Sequence, residues 1–177
     1  MHFSKYKRLG AYHWKLYDRS VRYRQHIARI KEWVKETNVL DIGAGDGVIT
    51  VKLDIVGIDN EPEAVRLAQE KGAKVTLEDA YHTGFVNEAF DSALMVDVLE
   101  HFERPGDAIK EAYRIVKKYL YIVTPPKDLI PGKMDRFHYK EYTPKQLQQL
   151  LGREGFTLVG KILVVPLENS MYAKFKK

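Results

Sequence analysis

Val39-Leu40-Asp41-Ile42-Gly43-Ala44-Gly45-Asp46-Gly47 is the stretch on which the fold turns. Its apolar first half predicts a short buried strand, and glycines at 43, 45 and 47 predict a sharp turn straight after it. Glycine lets the backbone turn tightly and lets a ligand approach the main chain, with the amides of a following helix start facing it. A dinucleotide fingerprint, G-x-G-x-x-G, would need glycine at 48, where Val48 stands. The Asp41 carboxylate, two residues before the first glycine, suits a ligand carrying an ammonium group better than a pyrophosphate.

Downstream of this turn the pattern alternates. Residues 55–58 predict a second strand, 61–71 a helix begun by Pro62 and closed by Gly72, and 74–77 a third strand. Residues 90–96 predict a fourth strand, and 104–117 a helix with Ala108, Ile109, Ala112, Ile115 and Val116 inward. A fifth strand is expected at 119–124, then a helix over 143–154 capped by Thr143 with Pro144 at its first position. Residues 156–165 and 170–175 read as two last strands, close enough in sequence to pair antiparallel. Such alternation implies a doubly wound, mostly parallel α/β sheet with an antiparallel edge, its ligand at the carboxyl ends of the strands. Upstream, residues 18–35 predict one helix, capped by Asp18 or Ser20, with Val21, Ile27, Ile30 and Val34 on its apolar side.

At 177 residues, 45% hydrophobic and 30% charged, the chain has the length of one domain and the composition of neither a disordered polymer nor a membrane bundle. No apolar run approaches the roughly 20 residues of a membrane span, and residues 1–10 lack the apolar stretch of a signal peptide, so a cytoplasmic protein without a transmembrane segment is expected. The absence of cysteine excludes disulfides, thiolate metal sites and cysteine nucleophiles, leaving His, Asp and Glu for any metal. The net charge of +5 is unevenly spread. Residues 1–36 hold ten Lys or Arg against three acids, a balance of +7, and the remainder carries −2. The chain therefore divides into a basic, aromatic-rich helical extension, 1–36, and a body, 37–177. The extension reads either as a surface for phosphates or anionic membranes or as a solvated helix face.

The body resembles the class I S-adenosylmethionine-dependent methyltransferases, in the manner of the small type 11-like domains. Residues 39–47 resemble the family's first motif and Val56-Gly57-Ile58-Asp59-Asn60 its second. Glu78-Asp79-Ala80 resembles the adenine-binding turn, and residues 90–102, including Leu94-Met95-Val96-Asp97-Val98-Leu99-Glu100-His101, the fourth motif and its loop. The resemblance implies a Rossmann-like sheet of seven strands, or slightly trimmed, that binds S-adenosylmethionine through Asp41, Gly43, Ala44, Gly45, Asp59, Asn60, Asp79, Ala80 and Asp97. By the same likeness Asp59 would take the ribose hydroxyls, since a carboxylate accepts two hydrogen bonds at once. Asp79 would take the exocyclic amine.

Two departures stand out. Residues 46–54 are short for the family's first helix, and no Pro-Gly-Gly turn follows Lys117-Lys118. A trimmed core would borrow a pocket wall from the extension, where Tyr12, His13, Trp14 and Tyr17 form an aromatic cluster. In similar enzymes such segments close over the cofactor and select the acceptor. Simple anchoring of the extension on the core is the other reading. Tyr12, Trp14 and Tyr139 are accordingly the cap or substrate candidates.

Asp97, Glu100 and His101, with His138 in Arg136-Phe137-His138-Tyr139, resemble the acid-x-x-acid-His plus distant His pattern of metal-dependent methyltransferases. That likeness implies a divalent cation such as magnesium. Leu-Glu-His after the fourth strand also occurs in metal-free members, where His101 or His138 would serve as general base or positioning alone would suffice. The expected acceptor is a small, anionic molecule, methylated on oxygen or nitrogen. Arg22-Tyr23-Arg24 and the interleaved aromatics make RNA the alternative acceptor, although no RNA-binding module is recognisable. A cofactor-binding module that regulates a partner without turnover is the third reading.

Overall fold

The computed structural model describes residues 5–127 and 137–177; Arg136, beside the stretch that carries His138, lies outside the described residues. Among the described residues eight strands, β1 (Val39–Ile42), β2 (Val56–Asp59), β3 (Lys74–Leu77), β4 (Phe90–Val96), β5 (Val116–Thr124), β6 (Thr157–Leu158), β7 (Leu163–Val165) and β8 (Ser170–Lys176), run in the sheet order β3-β2-β1-β4-β5-β8-β6, with β7 paired to β8. The pairs β1–β2, β2–β3 and β4–β5 are parallel. Strand β8 runs antiparallel to β5, β6 and β7. This is the mostly parallel α/β sheet with an antiparallel edge that the sequence predicts, with eight strands instead of seven. The extra strand arises because residues 156–165 do not form one strand. Gly160 takes a left-handed φ of 71° between β6 and β7, which meet β8 separately at Leu158↔Phe175 and Leu163↔Tyr172.

The chain packs as two compact units, Met1–Ala80 and Tyr81–Lys177. The first unit takes in the basic extension together with β1–β3. Its helices are α1 (Lys5–Leu9), α2 (Tyr12–Arg19), α3 (Val21–Trp33), α4 (Val48–Leu53) and α5 (Pro62–Glu70). The single helix predicted over 18–35 is two helices, because Ser20 is extended, ends α2, and caps α3 by accepting a hydrogen bond from the Tyr23 amide. Ile27 and Ile30 are buried as expected. Val21, at the first position after the break, is 61% exposed and leaves the predicted apolar stripe. Strand β1 is buried along its whole length. Val65, Ala68, Ala73 and Val75 form a core patch that Ala44 and Val51 cover.

In the second unit, α6 (Pro105–Ile115) buries Ala108, Ile109, Ala112 and Ile115 completely, and α7 (Pro144–Arg153) buries Leu147 and Leu151. The α7 start carries the full reciprocal cap. Thr143 accepts from the Gln146 amide and the Gln146 side chain accepts from the Thr143 amide. Strand β5 begins at Val116, three residues before the prediction, because the α6 cap is already extended and pairs with Phe90 ahead of a register shift. Among the described residues no helix is long and apolar enough to cross a membrane.

Candidate functional site

In the first unit the glycine turn is a left-handed run, with φ of 78° at Gly43, 57° at Gly45 and 76° at Gly47. Glycine at 47 is also a packing requirement: a Cβ there would lie 2.5 Å from that of Ala73 and 3.0 Å from that of Ala68. The amides of the turn itself are used within the fold. Those of Gly43 and Ala44 both donate to the Ile58 carbonyl at 2.9 Å, which ties the turn to β2. The Gly45 amide donates to Asp59 Oδ2 at 2.8 Å, and the Glu61 amide to Asp59 Oδ1 at 2.9 Å. Burial pushes the Asp59 carboxyl up, and these amides pull against that shift. Asp59 is thus held at the end of β2 by donors on both oxygens, with a further backbone hydrogen bond from Asn60.

Asp41 lies deeper. It is fully buried, accepts from Thr50 Oγ1 at 2.8 Å, and is pushed up to about 7, chiefly by burial. Asn60 follows β2, and Asp79 and Ala80 follow β3; Asn60 and Asp79 are exposed and Ala80 is half-buried.

The extension reaches this turn. The His13 amide donates to Asp46 Oδ2 at 2.9 Å, His13 Nδ1 lies 3.2 Å from Asp46 Oδ1, and Trp14 Nε1 donates to the Asp46 carbonyl at 2.8 Å. Asp46 is completely buried beneath these partners. Tyr6, on α1, is buried with its hydroxyl in the space that a Gly45 side chain would occupy. Tyr12 packs on both neighbours, its ring centroid 5.3 Å from Tyr6 and 3.9 Å from His13. Lys52 and Lys71 lie over the Trp14 ring at 5.3 and 5.8 Å. Trp14 is therefore an anchor of the extension. Sequence reasoning named Tyr12 and Trp14 but not Tyr6 or Asp46, and nothing in local spacing marks Tyr6 as a neighbour of Gly45.

In the second unit a single 3-10 turn, Leu99–His101, follows β4, and the Glu100 carbonyl accepts the amides of Tyr139 and Lys140 at 2.8 and 3.3 Å. That clasp brings the two predicted histidines together, with ring centroids 4.9 Å apart in an edge-on arrangement. His101 Nδ1 lies 3.0 Å from the Phe137 carbonyl, which can only accept, so Nδ1 donates in that contact. His138 Nδ1 lies 2.8 Å from Glu141 Oε1, which orients the second ring in the same way. Tyr139 is 54% exposed beside them.

Glu100, His101 and His138 each offer a donor atom within 4.8 Å of the others; Asp97, the fourth expected ligand, is not part of the group. Asp97 is exposed at a left-handed φ of 50°, its amide donating to the Val123 carbonyl. The Glu100 carboxyl is completely buried, accepts from Thr124 Oγ1 at 2.9 Å, and is held well above the ordinary carboxylate range by burial and by Asp97. Magnesium requires octahedral oxygen ligands and keeps several waters. Two imidazoles and a single carboxyl do not supply the oxygen ligands of that demand, so the expected magnesium centre does not fit these residues.

The family described as a methyltransferase domain matches residues 40–123. An uncharacterised protein of Methanocaldococcus jannaschii is 30% identical over 157 residues, which span 87% of this chain and 73% of that protein. The ubiquinone biosynthesis O-methyltransferase of Azorhizobium caulinodans is 30% identical over 107 residues, 54% of this chain and 42% of the enzyme. A SAM-dependent methyltransferase from Thermotoga maritima shares the fold with a TM-score of 0.80 at 23% identity, covering 97% of this chain and 98% of that one. The magnesium protoporphyrin IX methyltransferase of Synechocystis, solved with S-adenosylhomocysteine bound, does so with a TM-score of 0.71 at 19% identity, covering 89% and 84%. The matched segment opens on the Leu40–Gly47 turn and closes on β5, and the chain belongs to the class I S-adenosylmethionine-dependent methyltransferases.

Proposed function

We propose that this methyltransferase transfers the S-adenosylmethionine methyl group to an oxygen or nitrogen of a small, anionic acceptor, with His101 as general base. The observation that carries this reading is the imidazole pair, in which each Nδ1 is turned onto an oxygen acceptor and the two rings meet edge-on. The left-handed turn at Gly43, Ala44 and Gly45 and the doubly anchored Asp59 suit the cofactor, with Asn60, Asp79 and Ala80 bordering the same strand ends. When bound, the cofactor would supply a sulfonium methyl to the acceptor's lone pair, the C–S electron pair staying with sulfur in S-adenosylhomocysteine. His101 Nε2 takes the acceptor's proton as the new bond forms, and the Phe137 carbonyl keeps that ring in the required tautomer. His138, fixed by Glu141, orients the acceptor. Exposed Lys127, at the end of the described stretch after β5, and Lys140, two residues beyond His138, support an anionic acceptor.

The test is formation of S-adenosylhomocysteine across a panel of phenolic, carboxylate and amine acceptors. His101→Gln is expected to lower kcat by about 10²-fold or more with cofactor affinity unchanged, and His138→Gln to act mainly on acceptor KM. Wild-type turnover in His101→Gln would remove that residue from the chemistry. The +7 balance of residues 1–36 favours a second reading, RNA as acceptor. Methylation of a short RNA, with binding that weakens steeply as salt rises, would favour it over the small molecule. Cofactor binding without transfer to any acceptor would point to a regulatory module.

A further inference from the structure

The second unit carries a charge pattern that the methyltransferase motifs do not use. Residues 81–177 hold fifteen Lys or Arg against twelve acids, a balance of +3. Six of those cations gather where strands meet. Lys117 and Lys118 open β5, Lys174 and Lys176 lie at the end of β8 with Lys177 just beyond, and antiparallel pairing sets Tyr119 opposite Lys176. The Lys177 amide donates to the Lys118 carbonyl at 2.9 Å. Lys161 joins from the sheet edge, since the Val159 amide donates to the Lys174 carbonyl at 2.8 Å before the chain turns at Gly160. The acids paired with these lysines are Asp91, 3.8 and 3.7 Å from Lys117 and Lys118, and Glu88, 3.1 Å from Lys177. The band therefore carries +4, more than the whole unit. Glu168, before the start of β8, is engaged with the Tyr172 hydroxyl.

The make-up of the band tells a bilayer from a nucleic acid. All six cations are lysines, whereas five of the ten in residues 1–36 are arginines. Lysine is a point charge without the planar fork that grips a phosphate with two hydrogen bonds. Lys174 Nζ lies 3.7 Å from the Tyr119 ring centroid and Lys177 Nζ 4.8 Å from that of Tyr113, so lysine occupies ring faces that base stacking would use. What the band exposes besides charge is aliphatic. Val159 and Leu163, two residues to either side of exposed Lys161, are 41% and 45% exposed. Lysines around protruding aliphatic side chains match the headgroup layer of an anionic membrane. We propose that this lysine band is a peripheral membrane contact that docks the protein on an anionic phospholipid bilayer, with Val159 and Leu163 entering the headgroup boundary. The contact is independent of the acceptor reading. Thr124, whose hydroxyl donates to Glu100, ends β5 about 20 Å along the strand from Lys117, so docking at the lysine end leaves the histidine pair at the other.

The experiment is co-sedimentation of the full chain with vesicles of phosphatidylcholine alone or with about 30% phosphatidylserine, the share that sets the surface charge. The unaltered chain is expected to sediment with the anionic vesicles only. Lys161→Gln with Lys176→Gln, both exposed, is expected to weaken that partition by about tenfold or more, and Lys117→Gln with Lys118→Gln to do the same. Lys31→Gln with Lys35→Gln makes the same charge change on the exposed surface of α3 and the residues after it, and is expected to cost less than about twofold. Val159→Ser is expected to cost about threefold. No partition of the unaltered chain onto anionic vesicles would overturn the proposal. So would a loss in the Lys31 and Lys35 variant as large as in the band variants, which would move the contact to the extension, or an unchanged partition in Val159→Ser. Tighter binding to polyuridylate than to vesicles, lost in the band variants, would make the band a nucleic-acid surface and overturn it as well.

Discussion

Asp41 holds its proton to about pH 7, and this has a consequence for stability that is separable from ligand binding. In the unfolded chain the group ionises near the ordinary aspartate value of about 3.9. Between that value and about 7 the folded state binds the proton that the unfolded state has released, so this residue's contribution to stability falls as pH rises through the window and levels off above it. Denaturant unfolding at pH 4.5 and 7.5 is expected to show that fall in the unaltered chain and a smaller one in Asp41→Asn, which can still accept from Thr50 Oγ1. A ligand ammonium beside Asp41 would favour the ionised carboxylate, so a cofactor carrying one should bind more tightly as pH rises through the same window. The sequence reading identified the carboxyl and its suitability for an ammonium. Burial of β1 was itself legible; the hydrogen bond from Thr50 Oγ1 on α4, the partner on which the enclosed carboxyl rests, is a tertiary contact that local spacing does not report.

At the level of elements, strands and caps were legible where the signal is local. Pro62, Pro144 and Thr143 mark helix starts because their chemistry acts within one turn, and Thr143→Ala should lower stability by about 1 kcal/mol as the α7 cap is lost, read from the denaturation midpoint. Of the two caps the sequence offered, Ser20 is the one used, whereas α2 was not foreseen because residues 12–19 carry no local start signal: no side chain caps its N-terminus. Asp46 fastens α2 to the glycine turn. Asp46→Ala leaves the His13 ring and amide without their acceptor, and limited trypsin digestion is expected to cut after Lys15 or Arg19 at least several-fold faster, while β1 to β3 stay protected. The division of Asp97 from Glu100 and His101 was equally out of reach. The three look like one constellation along the chain, but the left-handed turn at Asp97 leaves that side chain out of the group that gathers with His138.

Across the whole molecule, the residues proposed for the cofactor turn fall in the first compact unit and the histidine pair in the second. A ligand that binds only the folded chain stabilises it by mass action, about 2.7 kcal/mol at a hundredfold excess over Kd. S-adenosylhomocysteine should therefore raise the melting temperature with a logarithmic dependence on concentration, and His101→Gln should leave that rise intact. The parallel half of the sheet was legible because β1, β4 and the end of β5 are largely apolar runs and helix signals separate the strands, whereas the two short strands against β8 are set by Gly160 and by pairings distant in sequence. Joining of the extension to the turn through Asp46 also limits modularity. Residues 5–19 and the Gly45-Asp46-Gly47 turn form a matched lock and key, so a chimera that grafts another methyltransferase's leading helices onto this body must carry over the partners of Asp46 or redesign the turn to receive the newcomers.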